Sequence, residues 1–293
     1  VYGIDKLTYA ANYQFLDELQ QHKGFTFKKA DIATLEYLPD CDYIINTAAE
    51  SHVGNSIVSS SQFIHSNIVG VQNLLDLIRL KQGNVCRKPV LLHFSTDEVY
   101  GDIIHGEHVE TDSLKPSNPY SSSKAAADML IYGYARTYGI NYIILRPTNN
   151  YGIGQYPEKL IPLAVKLLMR DQKIRLHDAG EPIRNWLHAA DTARAVTTII
   201  ESGKINEIYN VAGGFEQRNY DTVSKIVNCY FDKPIQYELD ISEYIDLSHV
   251  RQGQDVRYAL NDDKLRALGW RPSRVFDEEI NNIVKYYKNN FKW

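Results

Sequence analysis

Cysteine is scarce in this chain: Cys41, Cys86 and Cys229 are the only three among 293 residues. They stand apart, without the spacing of a metal site or of a disulfide framework. Long apolar runs are missing too. The apolar runs reach about 5–8 residues, against the ~20 that a membrane-spanning helix needs. No secretory leader is visible at the start. Neither sign of charge is in large excess. The formal net charge is −4, which gives no reason to expect nucleic acid or an anionic membrane as a partner. No internal repeat or low-complexity tract interrupts the chain. What remains is an ordinary globular composition, 44% hydrophobic and 23% charged, long enough for one large or two smaller domains. The expected setting is the cytoplasm, with reduced thiols, no metal, no nucleic-acid partner and no membrane partner.

A glycine-rich turn is absent where one is expected. The chain begins Val1-Tyr2-Gly3-Ile4-Asp5, which reads as the end of a strand carrying an acidic residue. In a dinucleotide-binding unit that acid holds the adenosine ribose hydroxyls, about 20 residues beyond a glycine-rich phosphate loop. No such loop precedes Asp5. Gly152-Ile153-Gly154 does not substitute, because it lies far downstream and is followed by Pro157. The first strand, glycine loop and helix are therefore expected to lie outside these residues, and a protein starting at Val1 is expected to bind a dinucleotide poorly.

Beyond Asp5, strands and helices alternate. Phe25 to Lys28 reads as a short strand, followed by Ala30-Asp31-Ile32. Tyr43 to Asn46 is a strand entering Thr47-Ala48-Ala49-Glu50, where small residues let a cofactor approach the backbone. Ser59 to Lys81 is amphipathic, and Ile64, Ile68, Val71, Leu74, Leu75 and Ile78 at helical spacing are expected in the core. Val90 to Phe94 reads as a buried parallel strand. It places Thr96, Asp97 and Glu98 at a strand's carboxyl end, the edge where open α/β sheets bind ligands. Asn141 to Leu145 is the next strand. Asn149 to Pro162, rich in Asn, Tyr, Gly and Pro, marks an irregular loop. Further on, Asp191 to Ile200 is a packing helix, Asn206 to Val211 a strand, and Val275 to Tyr287 a helix.

The run Tyr120-Ser121-Ser122-Ser123-Lys124 opens a helical stretch from Ala125 to Tyr138. A Tyr and a Lys four apart share one helix face. A phenol, with a reference pKa near ~10, is a poor base at neutral pH. A nearby ammonium favours the phenolate, which can take a proton from an alcohol while hydride leaves the same carbon. Alone, such a pair is also what a surface helix carries in a chain with 21 tyrosines. Its place downstream of a buried strand ending in Ser95-Thr96 points to a redox site. An acid, a base, a Tyr–Lys pair and a hydroxyl then suit oxidation of a sugar followed by elimination.

On these residues the chain resembles the extended short-chain dehydrogenases/reductases, and within them the nucleotide-sugar 4,6-dehydratases. The resemblance covers essentially the whole chain. Its carriers are Asp5-Lys6-Leu7-Thr8-Tyr9-Ala10, Ala48-Ala49-Glu50-Ser51-His52-Val53, Ser95 to Gly101, Asn149-Asn150-Tyr151-Gly152, Gln155 to Pro162, Arg184-Asn185-Trp186-Leu187-His188 and Leu268-Gly269-Trp270. The adjacent Asp97 and Glu98 discriminate, since the related epimerases and decarboxylases lack that pair.

The resemblance implies a Rossmann-type doubly wound parallel α/β sheet with a smaller α/β substrate-binding domain. The first domain spans 1–148 with a return of about 186–212, and the second, discontinuous, spans 149–293. It implies NAD as cofactor, contacted by Asp5, Lys6, Asp31, Ile32, Ala48, Ala49, Tyr120 and Lys124. For Asp31 an ordinary helix-capping role is the alternative. It implies a nucleotide-diphosphate hexose, dTDP-glucose foremost, contacted by Ser56, Glu98, Asn149, Lys159, His177, Arg184, Asn219 and Arg251. Arg184 and Arg251 suit a diphosphate through bidentate, charge-assisted bonds, though a surface arginine equally forms a salt bridge. Catalysis falls to Thr96, Asp97, Glu98, Tyr120 and Lys124.

Gly54-Asn55 and Gln254 depart from the usual dehydratase pattern. They leave UDP-, GDP- or CDP-linked sugars open and are expected to alter recognition rather than chemistry. A homodimer through a four-helix bundle is implied, built from the Ser59–Lys81 and Ser121–Tyr138 stretches. A C4 epimerase, a uronate decarboxylase and a non-catalytic NAD-binding regulator remain the alternatives.

Overall fold

The computed structural model describes residues 1–81, 89–253 and 255–290; Cys86 and Gln254 lie outside them. The strands are β1 (Tyr2–Asp5), β2 (Thr26–Lys29), β3 (Tyr43–Asn46), β4 (Val90–Phe94), β5 (Tyr142–Pro147), β6 (Asn149–Tyr151), β7 (Ile174–His177), β8 (Ile183–His188), β9 (Glu207–Val211), β10 (Glu216–Arg218) and β11 (Ile245–His249). The chain divides into two compact units. The first holds Val1–Tyr100, Glu110–Arg146 and Gly203–Asn210, and the second Gly101–Val109, Pro147–Ser202 and Val211–Trp293.

In the first unit β1 and β2 pair in parallel, and a second sheet runs in the order β3-β4-β5-β9. The β3–β4 and β4–β5 pairs are parallel. Buried Leu91 and Ile144 pack with Val71, Leu74, Leu75 and Ile78 of the helix Gly70–Lys81, and with Ala127 and Ile131 of the helix Pro119–Tyr138. Four residues of the expected apolar stripe are thus core, but Ile64 is exposed. The cause is a π-helical segment, Ile64–Val69, between Ser61–Phe63 and Gly70–Lys81. One wider turn shifts the helical phase, so residues before it no longer share a face with those after it. Gly70 follows at once. A Cβ there would stand 2.8 Å from the Ile32 side chain, closer than such contacts allow.

The helix expected from Ala125 begins earlier, at Pro119. Asn118 caps it: its side chain accepts from Ser121 N, and the Ser121 hydroxyl accepts from Asn118 N. Pro119, at the first helical position, has no N–H to leave unpaired. Tyr120 and Lys124 therefore both lie inside the helix.

In the second unit β10, β8 and β6 form one sheet and β11 pairs with β7. The helices Leu160–Leu168, Asn219–Tyr230 and Phe276–Asn290 pack against one another. Their shared core includes Tyr151, Trp186, Val223, Ile226, Phe276, Ile280 and Val284. The irregular loop expected over Asn149–Pro162 is shorter than that. Asn149–Tyr151 pairs as β6 with β8, and the helix opens at Leu160. Between them the Tyr287 hydroxyl donates to the Gly152 carbonyl at 2.9 Å and accepts from Gln155 N at 2.7 Å.

Two boundaries differ from the expected division. Residues 101–109 join the second unit because the Asp102 carboxylate accepts from Val256 N and Arg257 N, and His108 bridges to Leu260. Trp186–Ser202 also stays in the second unit, where the helix Ala189–Ser202 packs on β8 and β6. Only 203–210 returns to the first unit.

Candidate active site

At the end of β4 the chain turns through Asp97–Val99, a single 3₁₀ turn. The Thr96 hydroxyl accepts from Glu98 N at 3.3 Å and donates to Asp97 Oδ1 at 3.0 Å. One side chain thus fixes both acids. Asn118, the cap of the Tyr120 helix, donates from Nδ2 to Glu98 Oε2 at 3.4 Å. The acid pair and the Tyr–Lys pair are held together by that cap.

Tyr120 is buried, and its phenol hydrogen-bonds Thr96. A lowered phenol pKa was the expectation; the structure gives the opposite. Burial pushes the phenol well above its usual range, the Glu98 and Asp97 carboxylates push the same way, and only the Thr96 hydrogen bond opposes them. Lys124 is equally buried, and burial brings its ammonium down to about 8, against the pull of Asp128. Lys124 makes no hydrogen bond and no ion pair within 4 Å among the described residues.

Ser56 also supports the helix that carries Tyr120. It is 1% exposed. Its hydroxyl donates to the Val53 carbonyl and accepts from Tyr120 N at 3.2 Å. It pairs one of the orphan N–H groups of the helix start. Asn67, which the sequence did not single out, also belongs here. From the π-helical turn its Oδ1 accepts from Glu50 N, and its Nδ2 donates to the Glu50 carbonyl and to Ser123 Oγ. Ser123 in turn donates to the Tyr120 carbonyl at 2.6 Å.

One cavity is lined by Asp5, Lys6, Asp31, Ile32, Ala48 and Ala49, the expected cofactor contacts outside the Tyr–Lys helix, together with Glu50 and Ser66. A neighbouring cavity of about 410 Å³ adds Tyr9, Ser61, Gln62 and His65. Lys6 donates to Ser66 Oγ at 2.7 Å and lies 3.8 Å from Asp31 and 3.9 Å from Glu50. Partial burial works against the Asp31 carboxylate, but the Ala33 N–H, Lys6 and His65 hold it below the usual range. Asp31 therefore does cap a turn, while still lining the cavity. NAD fits this set. Asp5 suits ribose hydroxyls, the small Ala48 and Ala49 leave room, and among the described residues the buried Lys124 ammonium makes no hydrogen bond.

The remaining expected substrate residues lie in the second unit. Asn149 is on β6, and its Oδ1 is buried without a hydrogen bond. Lys159 precedes the helix Leu160–Leu168 and stands 3.8 Å from Glu158. His177 ends β7, its ring edge-on to His249 at 6.3 Å. Asn219 opens a helix, and Arg251 is half-buried after β11. Arg184 is buried, donates to the Ile183 and Asp255 carbonyls and lies over the Tyr258 ring. Much of its guanidinium is thus engaged by the protein itself.

The family model described as GDP-mannose 4,6 dehydratase matches residues 1–283. The chain belongs to this family. It is 37% identical to dTDP-glucose 4,6-dehydratase 1 of Escherichia coli K12, over 100% of this chain and 87% of that protein. The crystal structure of the dTDP-glucose 4,6-dehydratase DesIV of Streptomyces venezuelae, solved with NAD bound, superposes with a TM-score of 0.89 at 35% identity. The match covers 99% of this chain and 88% of that one. The NAD complex of the Bacillus anthracis dTDP-glucose 4,6-dehydratase gives 0.85 at 33%, over 99% and 88%. These matches bear out the Rossmann-type α/β fold. A UDP-glucuronic acid 4-epimerase from Bacillus cereus reaches 0.88 at only 21% identity, a likeness of fold alone.

Proposed function

We propose that this protein is an NAD-dependent hydro-lyase that converts dTDP-glucose to its 4-keto-6-deoxy product. The observation that carries this is the Asp97–Glu98 turn tied through Asn118 to the helix of Tyr120 and Lys124. An epimerase or decarboxylase needs the second pair but not the first, and a non-catalytic regulator needs neither. The dehydratase relatives at 33–37% identity support the same choice.

The C5 proton of a hexose is not acidic until C4 is a ketone. NAD, held by Asp5, Asp31, Ala48, Ala49 and Lys124, would supply a hydride acceptor for C4, the hydride returned to C6 and the positive charge of an oxidised ring. Tyr120 takes the C4 hydroxyl proton, with Thr96 hydrogen-bonding the same oxygen. Tyr120 acts here as the phenolate; burial and two carboxylates oppose that form, and positive charge beside it favours it. Lys124 holds the nicotinamide ribose and supplies the local positive charge. Glu98 then removes the C5 proton, and Asp97 protonates the departing C6 hydroxyl. Incubation with dTDP-glucose should yield the 4-keto product, read by its absorbance in alkali. A panel of UDP-, GDP- and CDP-hexoses tests the nucleoside, with unchanged substrate throughout as the result that rejects the activity.

Glu98→Gln separates the two halves of the reaction. It should permit C4 oxidation and block deprotonation at C5. A single turnover should then give a 4-keto hexose that still carries its C6 hydroxyl and no solvent deuterium at C5. Deuterium at C5 at the wild-type rate would remove Glu98 from the role of base.

The assembly we favour is a homodimer through the helical runs over 61–81 and 119–138. Ile64, Val69, Leu80 and Met129 on them are 38–65% exposed, more apolar surface than their own sheet covers. Light scattering at micromolar concentration should give twice the chain mass, and a monomer mass would contradict it. The cytoplasm is the setting that suits the isolated cysteines. Among the described residues no helix is long and apolar enough to cross a membrane, and no group of three or more His, Cys, Asp or Glu could hold a metal ion.

A further inference from the structure

Behind the Tyr–Lys pair lies a buried polar network that the reaction scheme leaves unused. Asp128 is one helical turn beyond Lys124 and two beyond Tyr120, on the same buried face. Its Oδ2 takes three hydrogen bonds: from Ser95 Oγ at 3.0 Å, from Arg146 Nε at 3.2 Å and from Arg146 Nη2 at 2.9 Å. Arg146 is itself held, donating from Nη1 to the Tyr100 hydroxyl at 2.8 Å, which donates onward to Asn210 Oδ1 at 2.9 Å. Asp128 Oδ1, by contrast, is buried with no hydrogen bond among the described residues. So one carboxylate oxygen is saturated with structural donors and the other is left bare, on the helix that carries an equally unpartnered ammonium.

His93 is the other titratable group facing Lys124, from β4. Asn46 settles its state. Asn46 Oδ1 accepts from Ala48 N at 3.2 Å, which turns its Nδ2 toward His93 Nδ1 at 3.1 Å. The ring nitrogen there is therefore an acceptor, and burial with Lys124 nearby keeps the imidazole neutral. No second cation from β4 competes for Asp128. The other titratable and charged groups are Asp97 and Glu98 on the Tyr120 side, Arg146 of β5, already committed to Oδ2, and Tyr100 and Tyr132, both on Arg146.

We propose that Asp128 is a positioning residue: anchored through Oδ2 by Arg146 and Ser95, it keeps Oδ1 as a counter-charge, beyond ion-pair distance, that keeps Lys124 protonated while Lys124 serves Tyr120 and the cofactor. This rests on the assignment of Tyr120 and Lys124 as the redox pair. A neutral residue at 128 leaves the Lys124 ammonium buried with no anion on its helix face, so Lys124 loses its proton at lower pH.

The test is the pH profile of kcat/KM for the NAD-loaded enzyme, with NAD affinity by calorimetry over the same range. For Asp128→Asn the alkaline limb should move down by about one pH unit. Wild type and variant then agree within about threefold near pH ~6 and differ about tenfold near pH ~9. NAD affinity should weaken over the same interval. Asp128→Glu, which keeps the charge, should restore the limb. If Asp128→Asn does not fold because Arg146 is left unpaired, Asp128→Asn with Arg146→Gln removes both charges and should show the same shift. An equal loss at every pH, or an unmoved limb in a folded variant, overturns the proposal. Tyr120→Phe, run alongside, tests the underlying assignment. Full activity there would remove the redox pair itself, whereas its loss beside an unmoved Asp128→Asn limb would remove only the role of Asp128.

Discussion

Tyr120→Phe should lower turnover by about 10²–10⁴-fold, the usual contribution of a positioned acid–base group, and leave the affinities for NAD and the nucleotide sugar within a few-fold. The basis is local. The phenol hydroxyl touches Thr96, whereas the ring packs edge-on to Phe63 at 6.4 Å and against Val53. Phenylalanine keeps that packing. Helix geometry is also kept, because Ser56 binds the backbone N–H of residue 120 and not its side chain. Removing the hydroxyl even relieves the unfavourable burial of a polar group, so the variant should be no less stable than the parent. Single-turnover kinetics with dTDP-glucose and calorimetric titration of both ligands check the two halves. Turnover above about a tenth of wild type would show that another group takes the C4 proton, since a base worth 10²–10⁴ cannot be lost so cheaply.

Much of this arrangement was legible in the sequence, and what was not has a common cause. β3 and β4 were bounded exactly, because buried parallel strands read as short apolar runs. Asp5, Lys6, Asp31, Ile32, Ala48 and Ala49 fall on one cavity, because each follows a strand of the same α/β sheet unit, the geometry that puts ligands at strand ends. The helix start at Pro119 was missed, although Ser117-Asn118-Pro119 carries a cap followed by a proline. Asn67, Asp128 and the bond of Ser56 to the helix start could not be read at all. Their partners lie 17 to 64 residues away, and spacing along the chain says nothing about such pairs. Periodicity misplaced Ile64 for a related reason. A π-helical turn has no reliable sequence signal, yet it rotates everything before it. The phenol pKa failed differently. The sequence displayed the Lys four residues on, but not the burial and the two acids that push the phenol up.

Lys124→Met should separate stability from function. Burial lowers the Lys124 ammonium to about 8 from a usual 10.5, so at neutral pH the folded protein carries a charged group that its surroundings resist. The shift corresponds to about 3 kcal/mol. Between pH 8 and 10.5 the unfolded chain holds the extra proton, so this penalty is complete below pH 8 and fades as pH rises through that window. Methionine has similar length, no charge and a flexible thioether that fits the vacated space. Asp128 is not stranded by the change, since Arg146 and Ser95 still bind its Oδ2. The variant should therefore unfold at a temperature several degrees higher than wild type at pH 7, with a gain of about 1–3 kcal/mol. The gain should shrink toward zero as the pH approaches 10.5. Turnover should fall by about 10²–10⁴-fold, because the charge that serves Tyr120 and the nicotinamide ribose is gone. Thermal unfolding across pH, set beside the rate with dTDP-glucose, reads both effects. A Lys124→Met protein less stable than its parent at pH 7 would mean that the ammonium is better satisfied than its lack of partners indicates. A more stable but fully active one would remove Lys124 from the chemistry. A stabilised, inactive protein is the signature of a site that keeps a buried cation at the expense of the fold because the reaction needs it.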